Sequence, residues 1–164
     1  MPIFSANCVD FVSRSVEQTR RLGVRLGSLA RAGDVYCLSG DLGAGKTTFV
    51  QGFAKGWDSR DQVSSPTFVL INQYSRTDGN LLHHLDAYRI DSLEEAADLD
   101  LDEYLASGVL IVEWAERIRA ALPEDYLEIN FTWVGEDQRN LVMTPHGSRY
   151  EKLMEDFKRL AFGG

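Results

Sequence analysis

The sequence predicts an α/β fold, a three-layer sandwich in which helices cover a mixed sheet with a parallel core and antiparallel hairpins. Three observations predict it. Val35-Tyr36-Cys37-Leu38 is a short β-prone run that leads through a glycine-rich loop into a helical stretch, Thr47 to Lys55. Val109-Leu110-Ile111-Val112-Glu113 is apolar without alternation, the form of a strand buried on both faces of a parallel sheet. Asp78-Gly79-Asn80 and Gly135-Glu136-Asp137 each interrupt two β-like runs, as hairpin turns do.

Length and composition bound the rest. With 164 residues and 44% hydrophobic content, the chain suits one compact domain, residues 1–164, with its own core. Aliphatic runs no longer than Val109–Val112 fall far short of the roughly 20 residues that span a bilayer, so no membrane association is expected. The amino terminus carries no basic segment followed by an apolar stretch, which argues against a secretory signal and for a cytoplasmic protein. In that setting Cys8 and Cys37 read as two reduced thiols. The net charge of −8 argues against direct, nonspecific holding of nucleic acid, because such binding draws on lysines and arginines that neutralise phosphates. Any role on nucleic acid would run through a partner.

Along the chain, Ser15-Val16-Glu17-Gln18 has the capping-box spacing, and Val16, Thr19, Leu22, Leu26 and Leu29 follow at helical intervals as far as Gly33. After the first strand comes Gly40-Asp41-Leu42-Gly43-Ala44-Gly45-Lys46-Thr47-Thr48, which fits the phosphate-loop pattern G-x-x-x-x-G-K-[ST]. Glycines let the backbone wrap a polyphosphate closely and aim successive N–H groups at its oxygens. Lys46, at the start of a helix, places its ammonium where the helix dipole is also positive. Thr47 can offer a hydroxyl to Mg²⁺. The helix after the loop is expected to stop at Gly56.

Asp58 to Ser64 reads as a polar connection, and Ser65-Pro66-Thr67 leads into the β-rich Phe68-Val69-Leu70-Ile71. Thr67 is either a sensor of the terminal phosphate or an ordinary turn residue, and the residues alone favour the turn. The hairpin pairs Phe68–Tyr74 with Leu81–Tyr88, whose His83 and His84 point to opposite faces and so cannot chelate one metal together. Ser92 to Leu105 is helical and acidic; its echo of a calcium loop fails because Glu103 and Val109 stand where glycine and glutamate are required. Glu113, at the end of the buried strand, is the first choice for a magnesium-holding acid. Asp86, at the end of another strand, would be an outer-shell metal contact or would orient a water. For either carboxylate the alternative is a surface acid at a strand end. A short helical piece, Ala115 to Leu122, stops at Pro123; strands Leu127–Val134 and Asn140–Thr144 follow, then a helix from Tyr150 to Leu160 with Leu153, Phe157 and Leu160 on its apolar side.

The phosphate loop, Ser65-Pro66-Thr67-Phe68, His84-Leu85-Asp86-Ala87-Tyr88-Arg89 and Val112-Glu113-Trp114 occur in an order that resembles the TsaE family, formerly called YjeE. The resemblance spans most of the chain. It implies a P-loop NTPase-type fold and a bacterial ATPase that binds ATP and Mg²⁺. The implied role is tRNA modification, the formation of threonylcarbamoyladenosine (t6A), with the TsaB and TsaD proteins as partners and tRNA met only indirectly. It further implies nucleotide contacts from Asp41, Leu42, Gly43, Ala44, Gly45, Lys46, Thr47 and Thr48, metal contacts from Thr47 and Glu113, and catalytic roles for Lys46, Asp86 and Glu113. Trp114 would lie beside the nucleotide, with Thr19 and Arg139 as further contacts from the amino-terminal helix and the late hairpin. Arg89 is a candidate arginine finger in cis. The chain departs from the family pattern at Ala115, where proline is common, and at Trp57, where an aliphatic residue is common.

Other classes are set against this reading. A small GTPase would need N-K-x-D and D-x-x-G motifs, and the chain has neither. A small-metabolite kinase would pass phosphate to an acceptor held near Asp86-Ala87-Tyr88-Arg89. A module that binds nucleotide without hydrolysing it would use the same loop.

Overall fold

The computed structural model describes residues 8–40, 45–61 and 71–162. They form a seven-stranded sheet with helices on both faces. The elements are β1 (Val9–Ser13), α1 (Val16–Ser28), β2 (Val35–Gly40), α2 (Lys46–Gly56), β3 (Ile71–Ser75), β4 (Leu81–Asp86), α3 (Leu93–Ala97), α4 (Leu101–Ser107), β5 (Gly108–Glu113), β6 (Tyr126–Trp133), β7 (Arg139–His146) and α5 (Ser148–Phe162). Strand order is β1-β7-β6-β2-β5-β4-β3. The run β6-β2-β5-β4 is parallel; β3, β7 and β1 join through antiparallel pairings. The mixed sheet with a parallel core and antiparallel hairpins is therefore as the sequence predicts, although Phe68–Leu70 of the expected first hairpin lie outside the described residues.

Alternation along each central strand divides two cores. Tyr36, Leu38, Val109, Ile111, Leu127, Ile129 and Phe131 face α1, α2 and α5. Val35, Cys37, Leu110 and Val112 face the other way, against Ala96, Leu101, Ile118 and Leu122. Both cysteines are free; burial pushes the Cys37 thiol up to about 12, while Cys8 sits half-buried at β1.

The start of α1 follows the capping-box reading. The Ser15 side chain accepts the Gln18 N–H at 3.1 Å, and Gln18 Oε1 in turn accepts the Arg14 N–H at 2.7 Å. Thr19, Leu22 and Leu26 are buried as predicted, but Val16 is exposed. Strand β1 has no counterpart in the sequence reading; it pairs with β7 at the sheet edge, Val9 opposite Met143 and Ser13 opposite Arg139.

Three expectations are corrected, and a fourth holds for a different reason. α2 ends at Gly56 as expected, but not on a left-handed glycine: the chain turns at Asp58, whose φ is +70°, and the Ser59 N–H closes on Ala54 O at 2.9 Å. Glycine stands at 56 for another reason. A Cβ there would lie 1.9 Å from Val24 O of α1, and the same holds at Gly52 against Arg20 O (2.0 Å), Gly23 against Phe49 O (2.2 Å) and Gly27 against Phe53 O (2.0 Å). Two pairs of glycines four residues apart let the backbones of α1 and α2 touch.

The acidic stretch from Ser92 is not one helix. It breaks between α3 and α4 at Asp98-Leu99-Asp100, where Asp100 takes the cap position of α4 and Asp98 and Asp102 would repel one turn apart in a continuous helix. Ala115–Leu122 is two 3₁₀ turns, Ala115–Arg117 and Arg119–Ala121, because Trp114 before them is left-handed (φ +59°). Leu160 is 49% exposed; Tyr150 and Met154 join Leu153 and Phe157 on the buried face of α5 instead. Trp57 is buried, with the Arg76 guanidinium 4.6 Å above its ring.

Candidate functional site

Of the expected site residues, Lys46, Asp86, Glu113 and Trp114 lie at the carboxyl ends of β2, β4 and β5, the edge of a parallel sheet where ligands commonly bind. Gly40 ends β2 at φ +128°, and a Cβ there would lie 2.1 Å from Phe131 O, so only glycine fits. Asp41, Leu42, Gly43 and Ala44 lie outside the described residues, as do Ser65, Pro66 and Thr67. The chain resumes at Gly45, which takes the N-cap of α2 at φ +95°. Among the described residues no side chain caps this helix, and the positive end of its dipole lies at Gly45. Thr47 and Thr48 are half-buried in that turn.

Lys46 is only 6% exposed. Its Nζ donates to Gly40 O at 2.9 Å and stands 4.4 Å over the Trp114 ring. Among the described residues it forms no ion pair with a carboxylate, so a buried cation faces the loop with a carbonyl and a π-face as its partners. Trp114 in turn lies 5.1 Å from the Tyr88 ring, and Arg117 stacks on Tyr88 at 5.3 Å.

Pairing places the two carboxylates side by side: Asp86 of β4 is opposite Glu113 of β5, and Glu113 is opposite Leu38 of β2. Glu113 is 7% exposed and therefore not the surface acid of the alternative reading. Its Oε2 meets His84 Nε2 at 2.7 Å, with His84 fully buried. Asp86 is half-buried, and its Oδ1 accepts the Tyr88 N–H at 3.0 Å. Arg89 is exposed. Thr19 and Arg139 flank Gly45 from α1 and β7, each with a carbon 3.7 Å from where a Gly45 Cβ would be. The Thr19 hydroxyl bonds Ser13 Oγ at 2.6 Å, and Arg139 Nη1 donates to Gly135 O at 2.8 Å.

The oxygens of Thr47, Glu113 and Asp86 are hard donors of the kind Mg²⁺ takes. Among the described residues no group of three or more His, Cys, Asp or Glu side chains could hold a metal ion by itself. The two histidines do face opposite sides of β4. The sequence reading missed what His84 does there. The signal was present: His84 and Asp86 share one face of a strand, and a neighbouring buried strand ends in Glu113.

His83 packs on the other side, with Nε2 2.9 Å from Ser107 Oγ and its ring 4.8 Å from Tyr104. Burial holds its imidazole below the ordinary 6.5. The unfolded chain therefore takes up this proton first, so the stability His83 contributes is full above pH 6.5 and lost as pH falls through the depressed value. Taking the protein from about pH 7.5 to about pH 5.5 should lower the melting temperature more in the unaltered chain than in His83→Gln. Equal losses in the two melting curves would show that His83 is not responsible.

The fold and site define an α/β protein in which a glycine-led helix N-terminus and two carboxylates meet at the ends of adjacent parallel strands. The family model described as threonylcarbamoyl adenosine biosynthesis protein TsaE matches residues 13–141, and the chain belongs to the TsaE family. It is 45% identical over 145 residues to the tRNA threonylcarbamoyladenosine biosynthesis protein TsaE of Bacillus subtilis, covering 87% of this chain and 89% of that protein. It is 43% identical over 137 residues to the protein of the same description from Streptomyces coelicolor, covering 80% and 93%. The crystal structure of YdiB from Bacillus subtilis matches with a TM-score of 0.77 at 37% identity, over 93% of this chain and 95% of that one. Among the described residues no helix is long and apolar enough to cross a membrane.

Proposed function

We propose that this protein is a P-loop ATPase that binds Mg-ATP and hydrolyses it slowly, in support of threonylcarbamoyladenosine formation on tRNA and together with the TsaB and TsaD proteins. The observation that carries the reading is Lys46: a buried ammonium at an uncapped helix N-terminus, with no carboxylate partner among the described residues, is matched by a polyphosphate.

In this reading the loop and the first turn of α2 bind the phosphates through backbone N–H groups. Lys46 leaves Gly40 O to meet the outer phosphate oxygens and offsets the charge that builds on them. Glu113 and Thr47 would hold Mg²⁺, which supplies charge neutralisation across the outer phosphates. Asp86, beside Glu113, accepts a hydrogen bond from the attacking water and orients it toward the terminal phosphorus. The new P–O bond comes from that water, whose proton passes to the released phosphate; the bond to the bridging oxygen breaks, and ADP leaves with the bridging electrons. Trp114 walls the site on the side of Lys46. The nucleotide state governs docking onto the TsaB and TsaD proteins, and hydrolysis resets the partner.

The test is hydrolysis of ATP by the purified chain, alone and with the TsaB and TsaD proteins, beside Glu113→Ala. Slow turnover that the partners stimulate and Glu113→Ala abolishes is the expected result. Binding of ATP with no turnover in either condition would overturn hydrolysis and leave a nucleotide-dependent binding module. Phosphate passed to a nucleoside or metabolite would make the protein a kinase.

A further inference from the structure

We propose that His84 is a positioning residue for the metal-binding carboxylate, an inference that rests on the nucleotide reading of the site. Its side chain is fully buried, and its Nε2 meets Glu113 Oε2 at 2.7 Å, a length typical of a charge-assisted bond. Glu113 has two oxygens and one such partner: among the described residues nothing else bonds its side chain. His84 therefore fixes the rotation of the carboxylate about its last torsion, a broad torsion that packing alone does not pin. Oε2 is committed to the imidazole, and Oε1 is the oxygen turned to the site.

The arrangement follows from strand geometry. His84 lies two residues before Asp86 on β4, so both project to the α1–α2 face, and β5 sets Ile111 opposite His84 and Glu113 opposite Asp86. The bond to Glu113 is thus diagonal, reaching along the strands toward the loop. A carboxylate fixed in this way is pre-organised, so the cation does not have to order it on binding.

A residue that only filled the core would not need to be a histidine. The remaining ring nitrogen, Nδ1, is buried and has no hydrogen-bond partner among the described residues. Burying a polar nitrogen without a partner costs free energy, and leucine would avoid that cost in similar volume. What leucine cannot supply is the N–H to Glu113.

The test uses Mn²⁺ as the probe, read by electron paramagnetic resonance with the full chain and a non-hydrolysable ATP analogue, in His84→Leu and His84→Gln. The glutamine amide can place an N–H near the position of Nε2. The expected result is Mn²⁺ affinity about 10–100-fold weaker in His84→Leu and restored to within a few-fold in His84→Gln. Analogue affinity measured in chelator should stay unchanged in both. Unaltered Mn²⁺ affinity in a folded His84→Leu would overturn the positioning role, and so would a loss that glutamine fails to restore. If His84→Leu does not fold, His84→Asn, whose amide is one methylene shorter and falls short of Glu113, takes its place: weakened Mn²⁺ affinity that His84→Gln restores is the supporting result, and unaltered affinity in a folded His84→Asn the overturning one. Failure of the unaltered chain to bind the analogue at all is a different outcome, and it overturns the nucleotide reading itself.

Discussion

Lys46→Ala is expected to lower ATP hydrolysis at least about 100-fold while leaving the melting temperature of the free protein no more than slightly changed. The two halves of this result have one cause. The ammonium is buried yet answered only by the Gly40 carbonyl at 2.9 Å and the Trp114 ring at 4.4 Å, partners that offset the cost of desolvating a charge less well than a carboxylate would. In the folded state it is held in place for a ligand at some expense to stability. Removing it deletes the cation that meets phosphate and relieves that expense, while the lost packing of the alkyl stem acts in the other direction. Lys46→Met keeps most of the stem and serves as the packing control. Side-by-side kinetics and melting curves decide the matter. A cooperative collapse of Lys46→Met would mean that the lysine is structural, and undiminished turnover would mean that the chemistry lies elsewhere.

The second large effect concerns the helices that frame the loop. Gly27→Ala and Gly52→Ala, made together, should destabilise the protein by about 3 kcal/mol or more, a fall in melting temperature of roughly 6–12 °C. In an exposed helix each of the two changes would favour folding by up to about 1 kcal/mol, so intrinsic propensity predicts the opposite sign. Here each new Cβ would sit 2.0 Å from a carbonyl oxygen of the facing helix, Phe53 O for Gly27 and Arg20 O for Gly52. Backbone cannot yield as a side-chain tip can, so α1 must move away from α2. Because α1 also brings Thr19 against Gly45, nucleotide affinity should weaken along with stability. Gly135→Ala is the control: its nearest neighbour would be Gln138 Cβ at 4.0 Å, and its melting temperature should match the unaltered chain. Unchanged stability in the double variant would show that the two helices tolerate separation.

Much of this protein was legible in its residues because the signals are local. The spacing of Gly40, Gly45 and Lys46 announces a strand turning into a helix. The unbroken apolar run before Glu113 announces a strand covered on both faces, and the turn at Gly79, with its φ of +87°, announces a hairpin. Even the capping of α1 at Ser15 can be read from four consecutive residues. Each of these depends on backbone preferences and periodicity within a few positions. Where local signals competed, the reading failed: the acidic run after Ser92 looks like one helix and is two.

Other features depend on strand pairing and helix packing between distant segments. Only the parallel register of β4 on β5 sets Asp86 beside Glu113 and lets His84 reach the glutamate. Only the packing of α1 on α2 explains why glycine stands at 23, 27, 52 and 56. Only the pairing of β1 with β7 brings Ser13 opposite Arg139, and with it the two flanks of Gly45. A sequence determines locally which backbone states its residues favour; which segments meet is decided by burying two apolar faces at once and satisfying every buried polar group, a condition on the whole chain.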